Sequence, residues 1–325
     1  MTWLSDAALE RLRQAAEAPD LSATRYRLLE RIGRGGMGVV FLAEDEMLGR
    51  RVALKVLDLP DDSGDLAARL VREARILAQL EHPGIVPVHD AGTLPDGRVF
   101  YAMKFVEGRS LAQHAPALES IAGRLRIFQK ICDAVALAHS RGVLHRDLKP
   151  ENVMIGKFGE VLVMDWGVAK LFREPPGATP AALSPAGAIG ARAQPGTRDG
   201  AIVGTPGYMS PEQARGESAD VDERTDVYSL GMILRFLLNS DARTIPAPLA
   251  AVCDKATRAQ PEARYASVGD LAADVARFLD GLPLEAYPDT LVRRVARFLQ
   301  RNQLVVWLVV AYLFIRILLI LFSRH

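Results

Sequence analysis

The feature that most constrains this chain is a change of hydrophobic period near Gly108. Upstream, apolar residues alternate as in strands. Tyr26 to Ile32, Val39 to Ala43 and Val52 to Leu57 predict three antiparallel strands joined by tight turns. Helical spacing follows over Leu66 to Leu80 and is stopped by Pro83. Strand character returns from Val86 to Val106, broken by a Pro95-Asp96-Gly97 turn. Downstream, helices are predicted over Ile121 to Arg141, Asp226 to Leu238, Pro246 to Ala259 and Val268 to Leu279. The chain therefore reads as α+β, with a small β-rich lobe followed by a larger helical one. Its 325 residues suffice for about two compact units.

Composition excludes some partners. With 49% hydrophobic residues, 24% charged and a net charge of +1, the chain generates no large field to attract nucleic acid. Cys132 and Cys253 lie far apart in helical stretches, without a Cys-x-x-Cys pair, and read as buried thiols in a reducing compartment. Residues 1–25 form an N-terminal helical extension that lacks the apolar stretch of a secretory signal. Arg173 to Ala201 is rich in Pro, Ala and Gly, and reads as a flexible loop.

Leu304 to Phe322 is almost uninterruptedly apolar, long enough to cross a hydrocarbon core of roughly 30 Å as a helix. Arg316 lies near the far end, within snorkelling reach of the headgroups. Arg293, Arg294, Arg297 and Arg301 precede the span, against Arg324 and His325 after it, which puts the large N-terminal part on the cytoplasmic side. The expectation is a single-pass protein of the cytoplasmic membrane, with residues 281–303 as a basic juxtamembrane segment. The competing reading is a buried terminal helix of the globular domain.

Gly33-Arg34-Gly35-Gly36-Met37-Gly38-Val39-Val40 fits G-x-G-x-x-G-x-V, whose backbone amides, uncrowded by Cβ atoms, can approach phosphate oxygens. A dinucleotide-binding turn would need a helix after the glycines, whereas Val39 to Ala43 reads as a strand. On the next strand Lys55 projects from an apolar run, Val52-Ala53-Leu54-Lys55, to the face opposite its neighbours, which suggests a charged ligand. Glu73, on the following helix, is placed to pair with it. The densest run is His145-Arg146-Asp147-Leu148-Lys149-Pro150-Glu151-Asn152, followed after a short hairpin by Asp165-Trp166-Gly167.

With these motifs in this order, the chain from about Tyr26 to Leu279 resembles the protein kinase superfamily. Leu148 to Asn152 and Gly204-Thr205-Pro206-Gly207-Tyr208 are similar to the eukaryotic-like serine/threonine protein kinases of bacteria. The resemblance implies a two-lobed kinase domain over 26–280, its N-lobe about 26–106 and its C-lobe about 107–280, to which the apolar run adds the expected transmembrane helix over 304–322. It also implies ATP and Mg²⁺ as cofactors and protein substrates as partners.

Roles follow from the same resemblance. Asp147 would accept the substrate hydroxyl's proton, and Lys149 would neutralise γ-phosphate charge. Asn152 and Asp165 would hold Mg²⁺, Lys55 would hold the α- and β-phosphates, and Glu73 would fix Lys55. The ATP pocket would be lined by Ile32, Gly33, Arg34, Gly35, Gly36, Met37, Gly38, Val40, Ala53 and Lys55. Met103 would be the gatekeeper of a hinge that continues through Lys104, Phe105 and Val106. Thr205 would sit beside Asp147, Glu212 would pair with Arg264, and Asp226 would support the catalytic-loop backbone. Thr179, Ser184, Thr197 and Thr205 are candidate phosphosites, because a phosphate there could pair with Arg146.

The chain departs from the family pattern in three places. Trp166 replaces the usual Phe, Lys104 occupies an often acidic hinge position, and only a short link through Asn239 to Pro248 stands where a further helix is usual. Trp166 and the missing helix motivate an alternative, a nucleotide-binding pseudokinase that scaffolds partners at the membrane. A homodimer for trans-autophosphorylation, assembled through the terminal helix, is a further expectation, although the helix lacks a small-xxx-small pattern.

Overall fold

The computed structural model describes residues 18–35, 38–57, 65–166, 170–171, 205, 207–216, 221–239, 244–288, 307–308, 311–313 and 315–316. Five strands make the N-terminal sheet: β1 (Tyr26–Gly35), β2 (Gly38–Asp45), β3 (Arg50–Val56), β4 (Val88–Thr93) and β5 (Val99–Lys104). All pair antiparallel in the order β1-β2-β3-β5-β4. Alternation divides the two faces of β3. Val52, Leu54 and Val56 join an outer core with Tyr26, Phe41 and Phe100, while Ala53 and Leu57 join the main core. Lys55 is thus aimed inward, as the alternation predicts. The turn between β4 and β5 holds Gly97 at φ +83°, a left-handed conformation that disfavours residues with a Cβ.

Helix α1 (Asp65–Gln79) buries Leu70, Ala74, Ile76 and Leu77 against that inner face. Two short elements, β6 (Gly108–Ser110) and α2 (Leu111–His114), lead into the helical lobe. Its pillars are α3 (Ile121–Ser140), α5 (Glu223–Asn239), α6 (Ala247–Ala256) and α7 (Val268–Leu279). Helix α5 is buried nearly all round through Val227, Leu230, Ile233, Leu234 and Leu237. A Cβ at Gly231 would stand 2.7 Å from the Ala256 Cβ, so this glycine permits the close approach of α5 to the end of α6. No helix stands among the described residues Thr244–Pro246 between α5 and α6, in keeping with the short link read from the sequence.

Short strands carry the loops that matter. β7 (Val143–Leu144) pairs with β10 (Lys170–Leu171), and β8 (Val153–Gly156) forms a hairpin with β9 (Val161–Val163), flanked by β6. Helix α4 (Pro211–Ala214) opens on a capping box made by Ser210 and Gln213.

Residues flanking 26–280 pack against the domain at both ends. Leu21 is buried in the outer core, and Arg98 Nη2 donates to Ala18 O at 2.8 Å, so residues 18–25 strap the sheet. At the other end Leu284 is buried, and Asp274 on α7 accepts from Glu285 N at 2.6 Å and Ala286 N at 2.9 Å.

Cys132 and Cys253 are free and buried as expected, and burial pushes both thiols up, Cys253 to about 12. The expected span 304–322 lies mostly outside the described residues, among which no helix is long and apolar enough to cross a membrane. Trp307, Leu308, Tyr312, Leu313 and Ile315 are helical and exposed, which runs against a helix packed into the domain at those positions. Gly36, Met37, Thr179, Ser184 and Thr197 also lie outside the described residues.

Candidate active site

The site is assembled around two residues with left-handed backbone, Arg146 at φ 70° and Asp165 at φ 56°. Such conformations are costly for residues other than glycine and persist only where the surroundings hold them. At Arg146 the restraint comes from Asp226, in the first turn of α5. Its Oδ1 accepts from Arg146 N at 2.9 Å, and its Oδ2 accepts from His145 N at 2.9 Å and meets His139 Nε2 at 2.8 Å. Burial alone would raise the Asp226 carboxyl, but the bonds from His139 and His145 outweigh it and hold the group below its ordinary range. The other side of Arg146 is tied to α4, because Gln213 Nε2 donates to its carbonyl at 2.8 Å.

From this loop, the Asp147 carboxylate faces three partners, Asn152 Nδ2 lying 3.3 Å from its Oδ2. Thr205 Oγ1 donates to Asp147 Oδ1 at 2.8 Å, and Lys149 Nζ lies 2.9 Å from Oδ2. Lys149 also donates to Thr205 Oγ1 at 2.7 Å, closing a triangle. Asn152 Nδ2 donates to Asp147 O at 2.8 Å, so the planar amide turns its oxygen the other way.

Across the cleft, Lys55 Nζ donates to both Glu73 oxygens at 2.9 Å and to Asp165 Oδ1 at 3.1 Å. Burial disfavours the Lys55 ammonium, yet the carboxylates of Glu73 and Asp165 outweigh it and hold the group charged above its ordinary value. Asp165 is half exposed; burial raises it, but Lys55 prevails and keeps it ionised. Lys149 acts on Asp165 in the same sense, so both halves of the site share one electrostatic field. Met164 N donates to Asn152 O at 2.8 Å, which joins the backbones that carry Asn152 and Asp165.

Lys55, Asp147, Asn152 and Asp165 therefore meet in one cleft, as do Glu73, Lys149 and Thr205. Above it Ala53 pairs in register with Met103, and both are buried, as is Val106. Val40 is partly buried, whereas Ile32 is 42% exposed and Arg34 and Lys104 point to solvent. Gly33, Gly35 and Gly38 occupy the β1 and β2 ends that flank the undescribed tip, and Phe105 packs on the core edge. Glu212 and Arg264 form a buried bidentate pair at 2.8 Å on each arm. Trp166 is fully buried, its ring 4.6 Å from His145, with Nε1 donating to Val163 O at 3.4 Å.

Sequence reasoning missed three contributors: His139, Gln213 and Tyr101. His139 and Gln213 look like ordinary surface polar residues in a helix. Tyr101 donates its hydroxyl to Glu73 Oε1 at 2.9 Å, a contact set by the β3–β5 register that residue spacing does not fix.

A protein kinase domain model matches residues 26–248. The serine/threonine-protein kinase PknD of Protochlamydia amoebophila is 36% identical over 300 residues, covering 79% of this chain and 30% of that protein. PknD of Chlamydia felis is 38% identical over 308 residues, covering 82% and 32%. The chain thus spans about a third of the length of the curated relatives it matches. Among solved structures, the kinase domain of Mycobacterium tuberculosis PknI superposes with a TM-score of 0.56 at 26% identity, covering 78% of this chain and 96% of that one.

Proposed function

The chain belongs to the protein kinase family, and from that premise we propose that it is a serine/threonine protein kinase, transferring the γ-phosphate of ATP to Ser/Thr hydroxyls of proteins. The observation that carries the reading is the closed Lys55–Glu73 pair reaching Asp165, in the same cleft as Asp147 with its Lys149 and Thr205 partners. Positive Lys55 and Lys149 suit phosphate oxygens, and the hard oxygens of Asp165 and Asn152 suit Mg²⁺. Bound there, magnesium-nucleotide supplies the transferable phosphoryl group and neutralises its charge.

The residues then divide the work. Asp147 accepts the hydroxyl proton and orients the attacking oxygen, with Thr205 presenting the substrate side of the cleft. Lys149 offsets charge that develops on the phosphoryl oxygens, and Lys55, fixed by Glu73, orients the α- and β-phosphates. Met103 to Val106 and Ala53 frame the adenine. Asp165 faces Lys55 although Trp166 replaces the usual Phe, which favours transfer over a purely scaffolding role.

The C-terminal apolar segment extends the proposal to a membrane-tethered enzyme whose kinase domain lies in the cytoplasm, with trans-autophosphorylation of the activation segment between copies. The test is phosphate incorporation from labelled ATP and Mg²⁺ into a generic basic protein by the full chain in detergent. A positioned general base contributes on the order of 10²- to 10⁴-fold. Asp147→Asn should therefore lose at least 10²-fold in rate with an unchanged unfolding temperature. Equal rates for parent and variant would refute the role of Asp147, and a silent parent would refute the activity.

A further inference from the structure

Glu73 is held from two sides, and only one of them is the lysine. Lys55 and Tyr101 stand directly opposite each other on β3 and β5. Directly opposed residues of an antiparallel pair share a face, so the Tyr101 ring lies beside the Lys55 stem, its centroid 5.8 Å from Nζ. Helix α1 brings Glu73 down over both. Its Oε1 accepts from Lys55 Nζ and from the Tyr101 hydroxyl, each at 2.9 Å, and Oε2 accepts, among the described residues, from Lys55. The three groups are 6%, 2% and 1% exposed for Lys55, Tyr101 and Glu73, so water does not substitute for any of these bonds.

The two donors differ mechanically. Lys55 reaches Glu73 through a long flexible stem and is shared with Asp165. The Tyr101 hydroxyl sits on a rigid ring anchored in the sheet, one residue before the buried strand pair of Ala102 and Leu54. A ring has two torsions to fix where a lysine has four, so the tyrosine holds its oxygen with less ordering entropy. We propose that Tyr101 is a positioning residue, a latch that ties α1 to β5 through Glu73 and so fixes the reach of Lys55 towards the cleft. This rests on the kinase reading above for its functional consequence, but not for its structural one.

Tyr101→Phe removes one oxygen atom and keeps the ring packing. A hydrogen bond to a charged group, expressed wholly in positioning, corresponds to roughly 10- to 100-fold. The full chain carrying Tyr101→Phe should lose about tenfold in kcat, with KM for ATP within about twofold of the parent. In a Glu73→Gln background the same change should cost less than about twofold, because the latch has already lost its charged partner. Amide hydrogen exchange should quicken about tenfold in Asp65–Gln79 and stay unchanged in Val268–Leu279. Full activity of the phenylalanine variant, an equal loss in both backgrounds, or exchange that is unchanged or raised in both helices would each overturn the latch. Should the parent transfer no phosphate, the kinase reading falls, and exchange confined to α1 or absent from it alone decides for or against Tyr101.

Discussion

Replacing Asp226 by Asn tests the architecture of the catalytic loop with a change of a single atom. The two carboxylate oxygens serve opposite donors: Oδ1 takes Arg146 N, and Oδ2 takes His145 N and His139. An asparagine has one acceptor oxygen. If it faces His145, the amide group points donor-to-donor at Arg146 N; if it flips, the clash moves to His145 N. Either way one buried backbone N–H is orphaned, at about 1–3 kcal/mol. The left-handed Arg146 also loses part of what holds it, and such strain amounts to about 1–3 kcal/mol. A loss of about 3 kcal/mol is expected. At roughly 2–4 °C per kcal/mol for a domain of this size, the melting temperature should fall by about 6–12 °C. The pH dependence should change as well. The Asp226 carboxyl is held below its ordinary range, so its contribution is present above the unfolded value near pH 4, and it is lost as pH falls through the folded value. The Asn variant should therefore show a shallower loss of stability on acidification below about pH 4. Thermal unfolding by circular dichroism over a pH series is the assay. A fall of less than about 2 °C with an unaltered acid limb would show that Asp226 does not support the loop.

Breaking the other buried anchor should be comparably severe. Arg264→Met leaves the Glu212 carboxylate buried without its guanidinium, for which about 3–5 kcal/mol is expected, read from the urea midpoint; an unmoved midpoint would show that the pair contributes nothing. The proposed tether is tested by flotation with liposomes: the full chain should rise with the lipid, and a chain ended after Pro288 should stay in the aqueous fraction. A full chain that is monodisperse in detergent-free buffer would remove the span from the reading.

The large elements were legible because their hydrophobic periods are strong and their limits are marked chemically. Val268–Leu279 matches its expected bounds to the residue, and the Pro95-Asp96-Gly97 turn falls where glycine's tolerance of positive φ demands it. Lys55 was legible for a related reason, since a lone lysine in an alternating apolar strand needs a partner. Strands of two to four residues such as β6, β7 and β10 are too short to show a period. The packing of the flanking residues was hidden by charges that look solvated in sequence. Arg98 is nearly buried beneath residue 18, and Asp274 is fully buried while it caps the backbone of Glu285 and Ala286. Neither residue announces this in its local pattern, because the partners lie 80 and about a dozen positions away.

The two left-handed residues are connected by His145, and its bonds fix its tautomer. Nε2 lies 3.0 Å from Met164 O, a carbonyl that can only accept, while Nδ1 takes Asp147 N at 3.3 Å, an amide that can only donate. The proton therefore sits on Nε2. In that form one side chain grips the residue before Asp165, packs at a tilt against Trp166 after it, and receives the amide of Asp147, while its own backbone N–H is held by Asp226. The loop that carries the proposed base and the loop that carries the proposed metal ligand thus share a single rigid joint. Trp166 fits this arrangement through its buried indole, which meets the imidazole at a 52° tilt and adds the bond to Val163 O that a phenyl lacks. The indole bond is thus one further tie in this joint, beside an Asp165 that faces Lys55.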